Sequence, residues 1–288
     1  MRSASNSYYG TADTWRELRS SLNLLIGLLL LSPFLIAALL APVISPHDPL
    51  AVDVSSRLLP PSSNHFFGTD ELGRDLFSRV LYGSRASFLV AIGIVMIGAS
   101  GGTVVGTISG YLGGRIDNIL MRIVDIVMAI PFMVIALALT AALGPSLVNL
   151  VFAIGLLSIP VYARIARGLA LSLRAQPFIA ASKTMGASHS YVMRRHIVPN
   201  IVSSMVVVAS TSLGGAVLTS SALSFIGLGA QPPTPELGAI ISGARSYILD
   251  EWWYSLFPGL MLVIAAFGFN LMGDGLRDVL DPQSRTAR

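Results

Sequence analysis

Long uncharged apolar runs, separated by short polar stretches, set the pattern of this chain. Residues 20–46 and 86–114 carry no charge. A bilayer-spanning helix takes about 20 apolar residues, so each run predicts one span, near Leu22–Val43 and over Ala86–Gly114. The next run, Ile126–Ala163, is too long for one helix and holds Leu143-Gly144-Pro145-Ser146, a turn signal. It predicts two helices joined by a tight hairpin, about Ile116–Ala142 and Val148–Arg164. A fifth span follows at Ile201–Phe225 and a sixth at Trp253–Gly273. Trp252, Trp253 and Tyr254 are expected at a membrane interface, where amphipathic rings prefer to sit. The fold class is an all-α membrane protein of six transmembrane helices with an insert between the fourth and fifth.

Composition agrees. Of 288 residues 53% are hydrophobic and 12% charged, about half the charge of a soluble domain. The chain has no cysteine, so disulfides and thiolate metal sites are excluded. The net charge of +4 could suggest nucleic acid, but the distribution of charge gives another reason for it. Six spans put both termini on one side. Of the 19 Lys and Arg, only Arg57, Arg74, Arg79, Arg85 and Arg245 fall on the other. The positive-inside rule then places the termini in the cytoplasm, and with them the insert at 164–200, which has no Asp or Glu. The first run follows Arg16 and Arg19 as a signal peptide would, but it is long and lacks a clear small-x-small cleavage site, so it is read as a retained span.

Four segments follow: 1–43, a cytoplasmic stretch and first span; 44–85, an extracytoplasmic loop; 86–282, the core with its insert at 177–199; and 283–288, a cytoplasmic tail. Enzymatic chemistry finds little support. No G-x-x-x-x-G-K-[ST] loop exists around Lys183, the single lysine. His47, His65, His189 and His196 form no i, i+4 pair, which argues against a metal site.

The insert has its own signals. Pro177 suits a first helical turn and Gly186 the position past a helix end. Phe178, Ala181, Ser182 and Met185 make one stripe at helical spacing. Ser188 suits an N-cap and Pro199 a stop. Helices this short must pack on something, either a groove in a partner or the protein's own bundle.

The segment Phe178–Asn200 resembles the "EAA" loop of binding-protein-dependent ABC importer permeases. The resemblance implies ATPase coupling through Ala180, Ala181, Ser182, Met185, Gly186, Ala187, Ser188, His196 and Pro199. Aligned on Gly186, the family's Glu-Ala-Ala falls on Ala180, Ala181 and Ser182, so its glutamate is absent here. Three further segments resemble the second ("C") subunit of the dipeptide/oligopeptide/nickel branch: Phe67–Arg79 (FGTDELGRDLFSR), Phe225–Glu236 and Asn270–Pro282. The implied assembly has a related but distinct permease chain, two ATP-binding subunits that hold ATP and Mg, and an extracytoplasmic binding protein, all at the bacterial inner membrane. This chain would bind membrane lipid but neither nucleic acid nor cofactor. The implied mechanism is alternating access for a short peptide or related small solute.

Asp70, Arg74, Gln231, Pro232 and Pro233 are candidates for a binding-protein dock or outer rim, with a gate-supporting structural role favoured for the segment that holds Asp70 and Arg74 and a plain connector equally open for Gln231–Pro235. Asp125, read inside the third span, is a pathway candidate or half of a structural pair with Arg122. Small residues in Gly98–Gly110 and Ser203–Ser221 predict close helix packing. The alternative to an ATP-driven importer is an ion-gradient-driven secondary transporter.

Overall fold

The computed structural model describes residues 22–280, with side chains to Arg277. Arg2, Arg16, Arg19, Asp281, Arg285 and Arg288 lie outside the described residues. Five helices are long and apolar enough to cross a membrane, and a bent pair makes a sixth span if counted as one. The predicted six-span, all-α class therefore holds, with one span broken.

The first helix, α1 (Leu22–Ile44), matches its predicted span. The second, α2 (Leu76–Leu112), starts ten residues before the predicted Ala86. Asp75 causes the early start: its carboxylate accepts the Ser78 N–H and caps the helix. At about 1.5 Å per residue, its 37 residues make α2 longer than a hydrocarbon core is thick.

The predicted third span is two helices, α3 (Gly114–Met128) and α4 (Phe132–Leu143), bent by 85°. Pro131 explains the break, because proline lacks an amide donor and disfavours helical backbone in the residue before it. In α3, Ile116, Ile119, Ile123 and Ile126 form one exposed apolar stripe at helical spacing, with Asp117 and Asp125 off that stripe. Asp125 thus belongs to an amphipathic helix and not to the interior of a straight span. Its partner is also corrected: Arg164 donates to it at 2.6 Å, while Arg122 is solvent-exposed.

The hairpin forms as predicted. Gly144 has φ +87° and Ser146 caps α5 (Leu147–Arg174). That helix runs ten residues beyond the expected Arg164, because Arg167 finds a carboxylate on α3. The insert holds α6 (Pro177–Thr184) and α7 (His189–Val192). A π-turn, Met193–Ile197, leads into α8 (Val198–Phe225). Pro199 was expected to stop a helix and does not. It sits in the first turn of α8, where the missing N–H is not needed, after a wide turn closed by Val198 N–H on the Met193 carbonyl. The chain ends its described part with α9 (Leu237–Ala244) and α10 (Trp252–Leu280). Trp252 is half-exposed, whereas Trp253 and Tyr254 pack into the bundle.

Small residues set the packing, as predicted. A Cβ on Gly102 of α2 would lie 2.3 Å from Tyr162 Cβ, and one on Gly106 2.2 Å from the Ala163 carbonyl oxygen. The backbones of α2 and α5 thus approach as only glycine allows. On the other side, Gly27 of α1 and Gly275 of α10 face each other's helices as closely. Phe34, Phe88 and Phe269 fill the centre, with ring centroids 6.1–6.2 Å apart.

Candidate functional site

Two clusters of candidate residues stand at opposite ends of the bundle. The first is the insert. Pro177 opens α6, and the end of that helix is closed by Ala187 N–H on the Ser182 carbonyl and Gly186 N–H on the Lys183 carbonyl. Gly186 takes φ +85°, the left-handed region expected of it. Ser188 caps α7 by accepting the Tyr191 N–H at 3.2 Å. All three signals were legible in the sequence.

Burial divides α6 into two faces. Ile179 and Ser182 point into the bundle, where Ile179 packs with Tyr111, Ala166, Ala170, Val192 and Ile197. Phe178, Ala181 and Met185 face outward, Met185 at 82% exposure. The predicted stripe of four is therefore split, because Ser182 sits on the anchoring side. Ala180, where the resemblance places glutamate, is exposed, and no acid replaces it. Gly186 and Ser188 are also exposed, with Ala187 half-buried. His196 stands between the exposed rings of Phe178 and Tyr191, 5.9 Å from each. Pro199 is exposed one turn further on.

Polar contacts tie this insert to α2, and a further ion pair ties α3 to α5. Lys183 Nζ lies 5.2 Å from the centre of the Tyr111 ring, whose hydroxyl is 3.2 Å from His189 Nδ1. Arg167 makes a bidentate pair with Asp117, donating from Nε at 2.6 Å and from a terminal nitrogen at 2.7 Å. Ser109 Oγ also donates to Asp117. This pair joins α3 to α5 beside the insert. Sequence reasoning missed it because its members are far apart in the chain.

The second cluster is the loop before α2. Asp70 is fully buried. Its Oδ1 accepts the Leu72 and Arg74 N–H groups, and its Oδ2 accepts Arg74 Nε at 2.6 Å, with Arg79 Nε 3.1 Å away. Arg74 also donates to Glu71 at 3.1 Å, and Arg79 to the Pro49 carbonyl at 3.1 Å. An outer dock would need Asp70 and Arg74 at the surface, and burial denies them that position. They hold the loop together. Asp53, in the same loop, is held below the usual carboxylate range by the hydroxyls of Ser55 and Ser56. Gln231, Pro232 and Pro233 are exposed. A cavity of about 260 Å³ is lined by Glu71, Arg74, Gln231, Pro232, Ser224 and Tyr254, and so joins the two outer segments.

Two features of this end were not foreseen. Glu236 is buried, accepts from Ser87 and Ser221 at 2.8 and 3.0 Å, and caps α9 through the Ala239 N–H. His47 and His65, scattered in sequence, meet with ring centroids 5.0 Å apart.

Comparisons with known proteins give this geometry its context. Residues 102–286 match the family described as "Binding-protein-dependent transport system inner membrane component". Residues 11–61 match the "N-terminal TM domain of oligopeptide transport permease C". The chain is 50% identical over 250 residues to the probable D,D-dipeptide transport system permease protein DdpC of Escherichia coli, covering 87% of this chain and 84% of that one. It is 39% identical to the dipeptide transport system permease protein DppC of Alkalihalophilus pseudofirmus, covering 96% and 93%. It is 38% identical to the di/tripeptide transport system permease protein DppC of Pseudomonas aeruginosa, covering 96% and 93%. The ion-gradient alternative is thereby set aside. This chain belongs to the binding-protein-dependent transport system inner membrane components, the multi-pass permease subunits of ABC importers.

Proposed function

We propose that this permease imports dipeptides, and that the insert at 177–199 is where an ATPase subunit drives it. The observation that carries the coupling assignment is the divided helix α6. Ile179 is locked in the bundle while Phe178 and Met185 project from its other face. A partner gripping the outer face would move α5 and α8 together, because the inner face shares one apolar cluster with both. Without a glutamate at Ala180, docking rests on shape and on the exposed apolar side chains. Ala181, Gly186, Ser188, His196 and Pro199 line the same outward surface, while Ser182 anchors it from within.

The working assembly contains a second, distinct permease chain, two ATPase subunits carrying ATP and Mg, and a solute-binding protein at the far end. This chain itself holds neither nucleotide nor metal for the driving reaction. The bias of basic residues toward the insert end supports cytoplasmic termini. At the far end, exposed Gln231, Pro232 and Pro233 form the rim offered to the binding protein. Asp125 serves as an ion-pair partner of Arg164 and not as a solute contact. Dipeptides are favoured because two of the relatives above are named for dipeptides and the third for di- and tripeptides.

The test is uptake by proteoliposomes containing both permease chains, the ATPases and the binding protein. ATP-dependent accumulation of D,D- or L,L-dipeptides is expected, and uptake that continues without ATP refutes the reading.

A further inference from the structure

His47 stands just past the end of α1, His65 lies late in the following loop, and Asp75 is the N-cap of α2. Folding brings them together. His65 Nδ1 lies 2.8 Å from Asp75 Oδ1, and His47 Nδ1 lies 3.7 Å from Asp75 Oδ2. One donor atom from each of the three residues lies within 4.8 Å of the other two.

We propose that His47, His65 and Asp75 bind a transition-metal dication of the zinc class. The donor set argues for it: imidazole suits zinc, copper and nickel, whereas calcium and magnesium prefer all-oxygen sites. The spacing argues for it too. With bonds of about 2.0–2.1 Å, two ligands on a tetrahedral zinc stand about 3.3 Å apart. His65 Nδ1 lies 2.8 Å from Asp75 Oδ1, close to that value, and His47 Nδ1, 3.7 Å from the other carboxylate oxygen, reaches the same ion by a small side-chain rotation.

The two oxygens of Asp75 divide the work. Oδ2 accepts the Ser78 N–H at 2.8 Å and the Ser78 hydroxyl at 2.7 Å, which fixes the carboxylate at the helix start. Oδ1 faces His65 and is the oxygen placed to ligate a metal. Exposure is graded from 2% for the Asp75 side chain through 19% for His65 to 43% for His47. The carboxylate is thus the rigid base, His47 closes from the solvent side, and a fourth position is left for water.

A helix-capping role alone would account for Asp75 and His65. It does not account for His47, whose ring makes no hydrogen bond among the described residues yet lies against His65. Its backbone is held there as well, by the His47 N–H donating to Ser78 Oγ at 3.2 Å. A bound metal would clip the end of the first span to the start of the second.

The test uses the full-length chain in detergent, freed of any histidine tag and stripped with chelator, then titrated with Zn²⁺ alone. Calorimetry reads affinity, and mass spectrometry after gel filtration counts retained zinc. One zinc per chain is expected. His47→Ala, which leaves the His65–Asp75 hydrogen bond intact, is expected to weaken binding by about tenfold or more. His189→Ala, at the opposite end, is expected to leave it unchanged. Thermal unfolding without zinc confirms that each variant is folded. Failure of the wild-type chain to bind zinc overturns the proposal, as does equal binding after His47→Ala.

Discussion

The loop before α2 and the insert hold their charged residues differently. At the far end, Asp70, Arg74 and Arg79 are buried and both arginines pair with the one carboxylate, so the loop before α2 is held from inside. At the insert end, Arg194 and Arg195 are exposed, and so are Phe178 and Met185. Buried ions are tolerated where partners satisfy them, and removing one partner leaves an uncompensated charge. Exposed apolar side chains on an anchored helix present a surface for another protein. One end is held from inside, and the other carries the surface that we propose an ATPase subunit grips.

The largest effect should come from breaking the held end. Asp70→Ala leaves two arginines without their shared carboxylate and is expected to cost about 3–5 kcal/mol. It should lower both the thermal midpoint in detergent and the amount of chain recovered from membranes. Glu236→Ala should come next. It strands two buried hydroxyls and the cap of α9, at about 1–3 kcal/mol by the same measurement. Gly186→Arg sharpens the contrast. Open space surrounds that position, so the expected stability cost is only the left-handed backbone, about 1–2 kcal/mol. Membrane insertion should persist while ATP hydrolysis no longer drives uptake; normal uptake would reject the coupling assignment. Smallest of all, Arg164→Ala removes a solvent-exposed ion pair, worth about 0–1 kcal/mol. Transport should stay near normal, and its loss would return Asp125 to the list of pathway residues.

Local signals were legible in the sequence, and contacts between distant segments were not. Apolar runs gave the spans, Gly144 and Ser146 the hairpin, and Pro177, Gly186 and Ser188 the insert, because each acts through the backbone of its neighbours. The break at Pro131 was also local, but the hydropathy of the run around it masked the proline. Pro199 misled for a related reason: a π-turn just before it makes room that propensity does not anticipate. The burial of Asp70, the pairing of Asp125 with Arg164 and the meeting of His47 with His65 depend on tertiary packing. A sequence neighbour such as Arg122 is a poor guide to such partners. The resemblance singled out the insert as the proposed coupling loop. The structure added which face of α6 is free.

That free face is the centre of the account, and the double variant Phe178→Ser/Met185→Ser tests it most directly. Both side chains are exposed, so the thermal midpoint of the permease should be nearly unchanged, as for surface substitutions generally. Burying two such side chains in a partner is worth several kcal/mol, so affinity for the purified ATPase subunit should fall by about tenfold or more, and ATP-driven dipeptide uptake with it. Wild-type affinity and wild-type uptake in a folded double variant would contradict the account.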